Sequence, residues 1–201
     1  HCETTVYEQQ FVLAPVELEA LADHLPAVCA RLAGIVPFSG GGFVERMQPT
    51  LASNEPPLTA FAQTLNAMAL VLQRSAGHRV TQHGCVADTA GMGVWTWFEF
   101  EHPDLADRVS ELALRWLAEV EPALALPVPD DGQHADAATR YGEFLTLARE
   151  LVLPLDAAAI IAAALRLDVP CQKLERAPFI PPEREFRVRR NGMLSLGHGA
   201  H

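Results

Sequence analysis

Residues 58–100 read LTAFAQTLNAMALVLQRSAGHRVTQHGCVADTAGMGVWTWFEF, and this stretch decides the fold. Its first half carries apolar residues at helical spacing and predicts a helix closed by Gly77. Two strands are predicted next, near residues 79–86 and 93–101, and the second is rich in the aromatic and β-branched residues that favour strands. The order helix, strand, strand predicts the α+β class, with helices packed on a small mixed sheet.

Flanking segments add further elements to this unit. Residues 3–13 predict an opening strand, and a helix follows Pro15 and ends at Gly34. Beyond the central stretch, helices are predicted over about residues 103–121 and 138–151. We therefore expect a first domain over residues 1–150.

The sequence changes in character after residue 150. An Ala-rich helix is predicted from Asp156 to Leu167, and a short strand follows over Val169–Leu174. A strand at Phe186–Val188 and another at Met193–Leu196 are predicted on either side of an Asn191-Gly192 hairpin turn. The chain lacks a starting Met and stops just after this strand, so we expect an excerpt of a longer polypeptide whose truncated second domain is residues 151–201.

The composition excludes several classes of protein. Among 201 residues 49% are hydrophobic, which excludes wholesale disorder. The 25 acidic and 15 basic residues give a net charge of −10, which argues against non-specific nucleic-acid binding. The charge is uneven: residues 1–172 hold 22 acids and 9 bases, whereas residues 173–201 hold 3 acids and 6 bases.

Cysteine spacing and hydropathy indicate the compartment. The four cysteines are far apart and form no Cys-x-x-Cys pair, so free and mostly buried thiols in a reducing cytosol are expected; they are Cys2, Cys29, Cys85 and Cys171. No apolar run reaches the roughly 18 residues of a membrane span. We expect a cytoplasmic protein with neither nucleic acid nor a membrane as partner.

Residue patterns alone identify no reaction and no catalytic residue. The Gly40–Gly42 run lacks the Gly-Lys-Ser/Thr ending of a phosphate-binding loop, and we interpret it as a turn followed by a structural ion pair of Glu45 and Arg46. The eight histidines show no metal-ligand spacing within a predicted helix. Trp95 and Trp97 are interpreted as core residues.

The order of landmarks nevertheless resembles a known family. A Gly-Gly-Phe-Val-Glu-Arg loop at 41–46 precedes a helix that ends Ala-Leu-Val-Leu-Gln-Arg-Ser-Ala-Gly at 69–77, and a strand pair ends Phe-Glu-Phe at 98–100. This order resembles the N-terminal domain of cyanophycin synthetases. The run Asn191-Gly192-Met193-Leu194, with the segment from Leu196 to His201, is similar to the start of that family's ATP-grasp domain.

The resemblance implies a role for the whole parent protein. Members of the family are cytoplasmic ligases that use ATP and Mg²⁺ to polymerise aspartate and arginine. Their N-terminal domain holds the growing polymer, so this segment is expected to be non-catalytic and to need no cofactor itself. The implied partners are an Asp/Arg-rich peptide polymer, the remainder of the parent ligase and further copies in a homo-oligomer.

The resemblance also implies candidate site residues. The expected polymer-binding residues are Glu45, Arg46, Glu55, Asp88 and Glu99. Some family members carry a His-x-x-Glu-His motif that resembles a zinc site and is associated with cutting polymer into primers. Here Gln63, Asn66 and Ala67 stand at those positions, so no metal is expected.

Two alternatives stay open beside the polymer-binding module. The segment could be a primer-generating polymer hydrolase that works through other residues. It could also be a purely structural oligomerisation module of a degenerate homologue. The amino acids that the parent joins would be selected by residues downstream of this segment.

Overall fold

The computed structural model describes most of the chain up to residue 152 and short segments beyond it. The described residues are 6–12, 15–40, 43–47, 55–88, 93–124, 126, 135–152, 159–160, 163–164, 166–167, 171–174 and 193–196. The larger of two compact units comprises Thr4–Val152, and Leu153–His201 belong to the smaller one.

The larger unit has the α+β architecture expected from the sequence. Its elements in chain order are β1 (Val6–Val12), α1 (Pro15–Leu32), α2 (residues 43–47), α3 (Pro57–Ser75), β2 (His83–Ala87), β3 (Gly93–Glu99), α4 (Pro103–Val120), a 3₁₀ turn (Pro122–Leu124) and α5 (Ala137–Leu151). Each predicted helix and strand in this unit is present within a few residues of its expected place.

The sheet has three strands in the order β1-β3-β2, so β3 is central. Both pairings are antiparallel, and the expectation of a mixed sheet is therefore wrong. The physical reason is the connection between β2 and β3, because five residues are too few for the crossover that parallel neighbours require.

Helix α3 lies at the centre of the core. It contacts β2 and β3 on one side and packs against α1 and α4. Its apolar stripe is fully buried, as the helical spacing predicted; Phe61, Leu65, Met68 and Leu72 all have 0% exposure. The helix ends at a backbone turn in which Gly77 has a φ of 103°, a conformation that favours glycine.

Local capping explains where the next helices begin. At α4 the ring of His102 accepts a hydrogen bond from the backbone N–H of Asp104, and Pro103 occupies the first turn. At α5 the carboxylate of Asp136 accepts from the backbone N–H of Thr139 at 2.7 Å. This hydrogen bond lowers the pKa of Asp136.

The smaller unit is described in three short pieces. Residues 159–160, 163–164 and 166 are helical, and β4 (Cys171–Leu174) pairs with β5 (Met193–Leu196) in an antiparallel ladder. Both strands lie within stretches predicted as strands. The strand expected at Phe186–Val188 and the turn at Asn191-Gly192 lie outside the described residues.

The described residues also bear on the expected free cysteines and on the expected absence of a membrane span. Cys29 is a buried free thiol and Cys85 a half-buried one, while Cys2 and the side chain of Cys171 lie outside this set. Among the helices described, none combines the length and apolar character needed to cross a membrane.

Candidate functional site

One side of the three-stranded sheet carries side chains that none of the described helices of the larger unit covers, and we call it the open face. Successive residues of a strand point to opposite sides, so the buried Val94 and Phe98 face the helices while Trp95 and Trp97 point away. The open face consists of Glu8, Gln10 and Val12 on β1, Trp95 and Trp97 on β3, and Val86 on β2.

Trp95 corrects the assignment of the tryptophans to the core. Its side chain is 52% exposed, whereas Trp97 is half-buried. In the ladder Trp95 pairs with Gln10 on one side and with the exposed Val86 on the other. An exposed indole flanked by aliphatic and amide groups is an aromatic surface on which a flat ligand group can stack.

Trp97 is held in place by a glycine. Gly84 pairs with it on β2, and a Cβ built at Gly84 would lie 2.7 Å from Trp97 Cε2 and Cζ2. The indole therefore lies on the glycine backbone, in space that any other residue would fill. Glycine at this position leaves the space in which the ring contacts the backbone of β2.

Two carboxylates accompany the aromatic rings. Glu8 pairs with Trp97 in the ladder, is exposed and makes no ion pair with any described residue. The Asp88 Oδ2 atom lies 2.6 Å from the position that a Cβ of Gly93 would occupy. Gly93 and Trp95 are two residues apart on one strand, so the Asp88 carboxylate is on the same side of the sheet as Trp95.

Glu99, another expected polymer-binding residue, is engaged within the protein. Its Oε2 accepts hydrogen bonds from the backbone N–H groups of Thr81 and Gln82, at 2.6 and 2.8 Å, and from the Thr81 hydroxyl. These bonds fix the segment that leads into β2. The structure thus gives Glu99 a positioning role at the end of the sheet.

The remaining expected residues lie elsewhere, near α2 and α3. Glu45 is exposed, and Glu55 accepts a 2.6 Å hydrogen bond from Gln63 Nε2. The expected ion pair of Glu45 and Arg46 is not formed among the described residues, because adjacent side chains on a helix point in different directions. The five expected residues therefore do not form one cluster.

Arg46 belongs to a different group of side chains. With Arg74 at the end of α3 and His83 on β2, which lie within electrostatic reach of it, Arg46 forms what we call the basic cluster. Burial is the main cause that lowers the pKa of His83, and the charges of Arg46 and Arg74 lower it further. Burial also lowers the pKa of Arg46, with a smaller contribution from Arg74.

Two of the three positions that correspond to the zinc motif, Asn66 and Ala67, are buried in the core, whereas Gln63 is half-buried and donates to Glu55. Asn66 is fully buried, donates from Nδ2 to the Gly84 carbonyl at 2.9 Å and accepts from the Thr96 hydroxyl at 2.8 Å. Ala67 is buried and offers no ligand atom. Across the described part of the chain, no group of three or more His, Cys, Asp or Glu residues is arranged to hold a metal ion.

Several residues of these two sites were not predicted from the sequence. They are Glu8, Gln10, Trp95 and Trp97 on the open face, and Arg74 and His83 in the basic cluster. One pattern in β1 could have indicated the open face, because Glu8 and Gln10 fall on one side of the strand while Tyr7 and Phe11 fall on the other, together with Gln9. Nothing in the sequence brings Arg74 and His83 to Arg46.

Comparison of the sequence with protein-family models and with curated proteins found no match. The open face carries an exposed indole beside carboxylates, and the basic cluster holds two buried nitrogen atoms, on Arg46 and His83, that have no hydrogen-bond partner among the described residues.

Proposed function

We propose that this chain is the non-catalytic, polymer-binding N-terminal portion of a cyanophycin synthetase-like ligase, and that the open face retains an Asp/Arg polymer. The observation that carries the proposal is the exposure of Trp95 beside Trp97 on a sheet face that also carries carboxylates. The polymer is inferred from the resemblance of the sequence to cyanophycin synthetases. The open face carries indole and carboxylate groups, which are suited to binding the arginine side chains of that polymer.

The chemistry concerns the guanidinium groups of the polymer. A guanidinium is planar and stacks on indole rings, an interaction of about 0.5–1 kcal/mol at exposed sites. Carboxylates such as Glu8 and Asp88 can accept its N–H groups in pairs. The open face provides both kinds of contact within one surface.

Affinity would come from many weak contacts. A single exposed ion pair contributes only about 0–1 kcal/mol. A polymer that repeats the same cationic side chain can engage several such contacts at once, and each further contact becomes intramolecular after the first. The net charge of −10 favours the binding of a cationic polymer over that of an anionic one.

We extend the proposal to the smaller unit and to the parent protein. Residues 151–201 would begin an ATP-grasp domain, and the parent would be a cytoplasmic homo-oligomer that binds ATP and Mg²⁺ through residues beyond this segment. The segment alone should then show no thermal stabilisation by ATP and Mg²⁺. A nucleotide-dependent rise of its melting temperature would contradict this part of the proposal.

Calorimetry with purified polymer tests the main proposal. We expect the chain to bind a polyaspartate that carries arginine on its side chains, and not to bind plain polyaspartate, which lacks the guanidinium groups. Binding should weaken between low and moderate salt, because exposed charges are screened within about 10 Å at 0.1 M ionic strength.

The alternative occupant of the open face is a second copy of this chain. Light scattering of the same samples distinguishes the two. Absence of polymer binding at low salt, together with a dimer that Trp95→Arg dissociates, would replace the proposal by the structural oligomerisation role. Polymer binding by a monomer would exclude that role for this face.

A further inference from the structure

Two buried nitrogen atoms on the helix side of β2 have no hydrogen-bond partner. They are Arg46 Nε on α2 and His83 Nδ1 on β2, and neither has an acceptor or donor among the described residues. Most buried polar atoms in proteins are hydrogen-bonded, and leaving one unsatisfied is unfavourable. Two such atoms in one cluster point to a missing ligand.

Arg74 contributes a third group to the same place. Its Nε donates to the Val80 carbonyl at 2.7 Å, which fixes the side chain beside the segment that leads into β2. No described acceptor bonds its terminal nitrogens. The charges of Arg46 and Arg74 both act on His83, so the three groups lie within electrostatic reach of one another.

The surrounding carboxylates offset this positive charge only in part, through the charge of Glu45, which raises the pKa of Arg46 against the larger effect of burial. Glu45, next to Arg46 on α2, is exposed and forms no ion pair with it among the residues described. Glu55 is bonded to Gln63, and Glu99 is bonded to the backbone at residues 81–82. Cys85, which follows on the same side of β2, has its pKa raised by burial and by Glu55.

We propose that Arg46, Arg74 and His83 form a binding site for an oxyanion, namely a carboxylate or phosphate group. A guanidinium presents N–H donors in a fork that matches two oxygen atoms of such a group. The bound anion would supply acceptors for Arg46 Nε and for a protonated His83 ring. This site is separate from the open face and does not depend on polymer binding there.

Nuclear magnetic resonance of the histidine rings tests the site. The signals of His83 are assigned by their loss in His83→Gln, and the protein is then titrated with inorganic phosphate or with acetate. We expect a saturable rise of the pKa of His83 with the anion that fits, because a nearby negative charge favours the imidazolium. The titrations with phosphate and with acetate distinguish a site for a phosphate group from a site for a carboxylate.

Sodium chloride at matched ionic strength is the essential control. Salt alone screens Arg46 and Arg74 and so also raises the pKa of His83, but without saturation at a defined stoichiometry. Equal responses to chloride, phosphate and acetate would overturn the proposal.

Variants of Arg46 give a second, independent test. Arg46→Gln should weaken anion binding about tenfold, since a hydrogen bond to a charged group contributes about 1.5 kcal/mol or more. Arg149→Gln removes an exposed arginine of α5 and should leave the affinity unchanged. If Arg46→Gln does not fold, Arg46→Lys keeps the charge without the fork and should still weaken binding. Unchanged affinity in a folded Arg46 variant would overturn the proposal.

Discussion

The indole of Trp97 lies on the backbone of Gly84, the residue that pairs with it across the β2–β3 ladder. This contact fixes the ring of Trp97 on the open face. It also links the open face to the core, because the carbonyl of the same glycine accepts a hydrogen bond from the buried Asn66. The geometry of the aromatic surface therefore depends on a glycine and on an amide below the sheet.

A methyl group at Gly84 should disturb this arrangement. In Gly84→Ala the new Cβ would meet the indole at 2.7 Å, so Trp97 must move. We expect a loss of about 1–3 kcal/mol in the free energy of unfolding and a change in tryptophan emission. Urea denaturation followed by fluorescence measures both quantities.

Gly142→Ala is the matched control for that substitution. Gly142 lies in α5, and a Cβ there would have no neighbour within 4 Å. Alanine should raise the stability by about 0.5–1 kcal/mol, because glycine is unfavourable inside a helix. Equal effects of the two substitutions would refute the packing of Trp97 on Gly84.

Removing the buried amide should destabilise the link between α3 and the sheet. Asn66→Leu would leave the Thr96 hydroxyl without its partner Asn66 Oδ1 and would remove the bond to the Gly84 carbonyl. We expect a loss of about 2 kcal/mol in the free energy of unfolding. Gln63→Ala, one turn away and half-buried, should change it less. A neutral Asn66→Leu would show that the amide has no structural role.

The same residues lead us to predict that the protein binds no stoichiometric zinc. Both hydrogen-bonding atoms of Asn66 are engaged with β2 and β3, and Ala67 has no ligand atom. Elemental analysis of the purified protein measures this directly. About one zinc per chain, lost on substitution of Gln63 or Asn66, would contradict the prediction and revive the hydrolase alternative.

Stability should fall at acidic pH through Glu101. Its carboxylate lies 2.9 Å from His78 Nδ1 and also accepts from the backbone N–H of Arg79. The hydrogen bond with His78 is the main cause that lowers the pKa of Glu101 from its ordinary value of 4.5. A group with a lowered pKa in the folded state stabilises it above the unfolded value, and this contribution is lost as the pH falls through the folded pKa.

Denaturation from pH 7 to pH 3 measures this contribution. We expect the free energy of unfolding to decline as the pH falls through 4.5, because the unfolded chain then takes up a proton at Glu101 before the folded protein does. Glu101→Gln should lower the stability at pH 7 by about 2 kcal/mol and flatten the decline. Glu150→Gln, at an exposed position of α5, should do neither. An unchanged slope in Glu101→Gln would contradict the assignment.

The elements of the larger unit could be predicted because their patterns are strong. The stripe of Phe61, Leu65 and Leu72 fits only a helix that is buried on one side, and Gly77 ends that helix with a backbone angle that favours glycine. The apolar pattern does not indicate whether neighbouring strands pair in parallel or antiparallel. The pairing direction follows from the short connection between β2 and β3, which the mixed-sheet expectation did not take into account.

The open face could not be predicted from β3 alone. Large apolar side chains stand on both sides of this strand, Val94 and Phe98 on one and Trp95 and Trp97 on the other, so alternation does not tell which side is covered. That choice depends on where the helices pack. The basic cluster could not be predicted from the sequence for a related reason. Its members Arg46, Arg74 and His83 are distant in sequence and come near one another only when α2, α3 and β2 assemble.

The affinity of Trp95 variants for the Asp/Arg polymer tests the central claim most directly. Trp95→Leu keeps an apolar side chain but removes the aromatic ring, while Trp95→Phe keeps a ring; since Trp95 is 52% exposed, neither should lower the melting temperature appreciably. If the open face retains the polymer, calorimetry at low salt will show binding weakened about fivefold in Trp95→Leu and largely preserved in Trp95→Phe. Equal affinities of wild type and a folded Trp95→Leu would contradict the account.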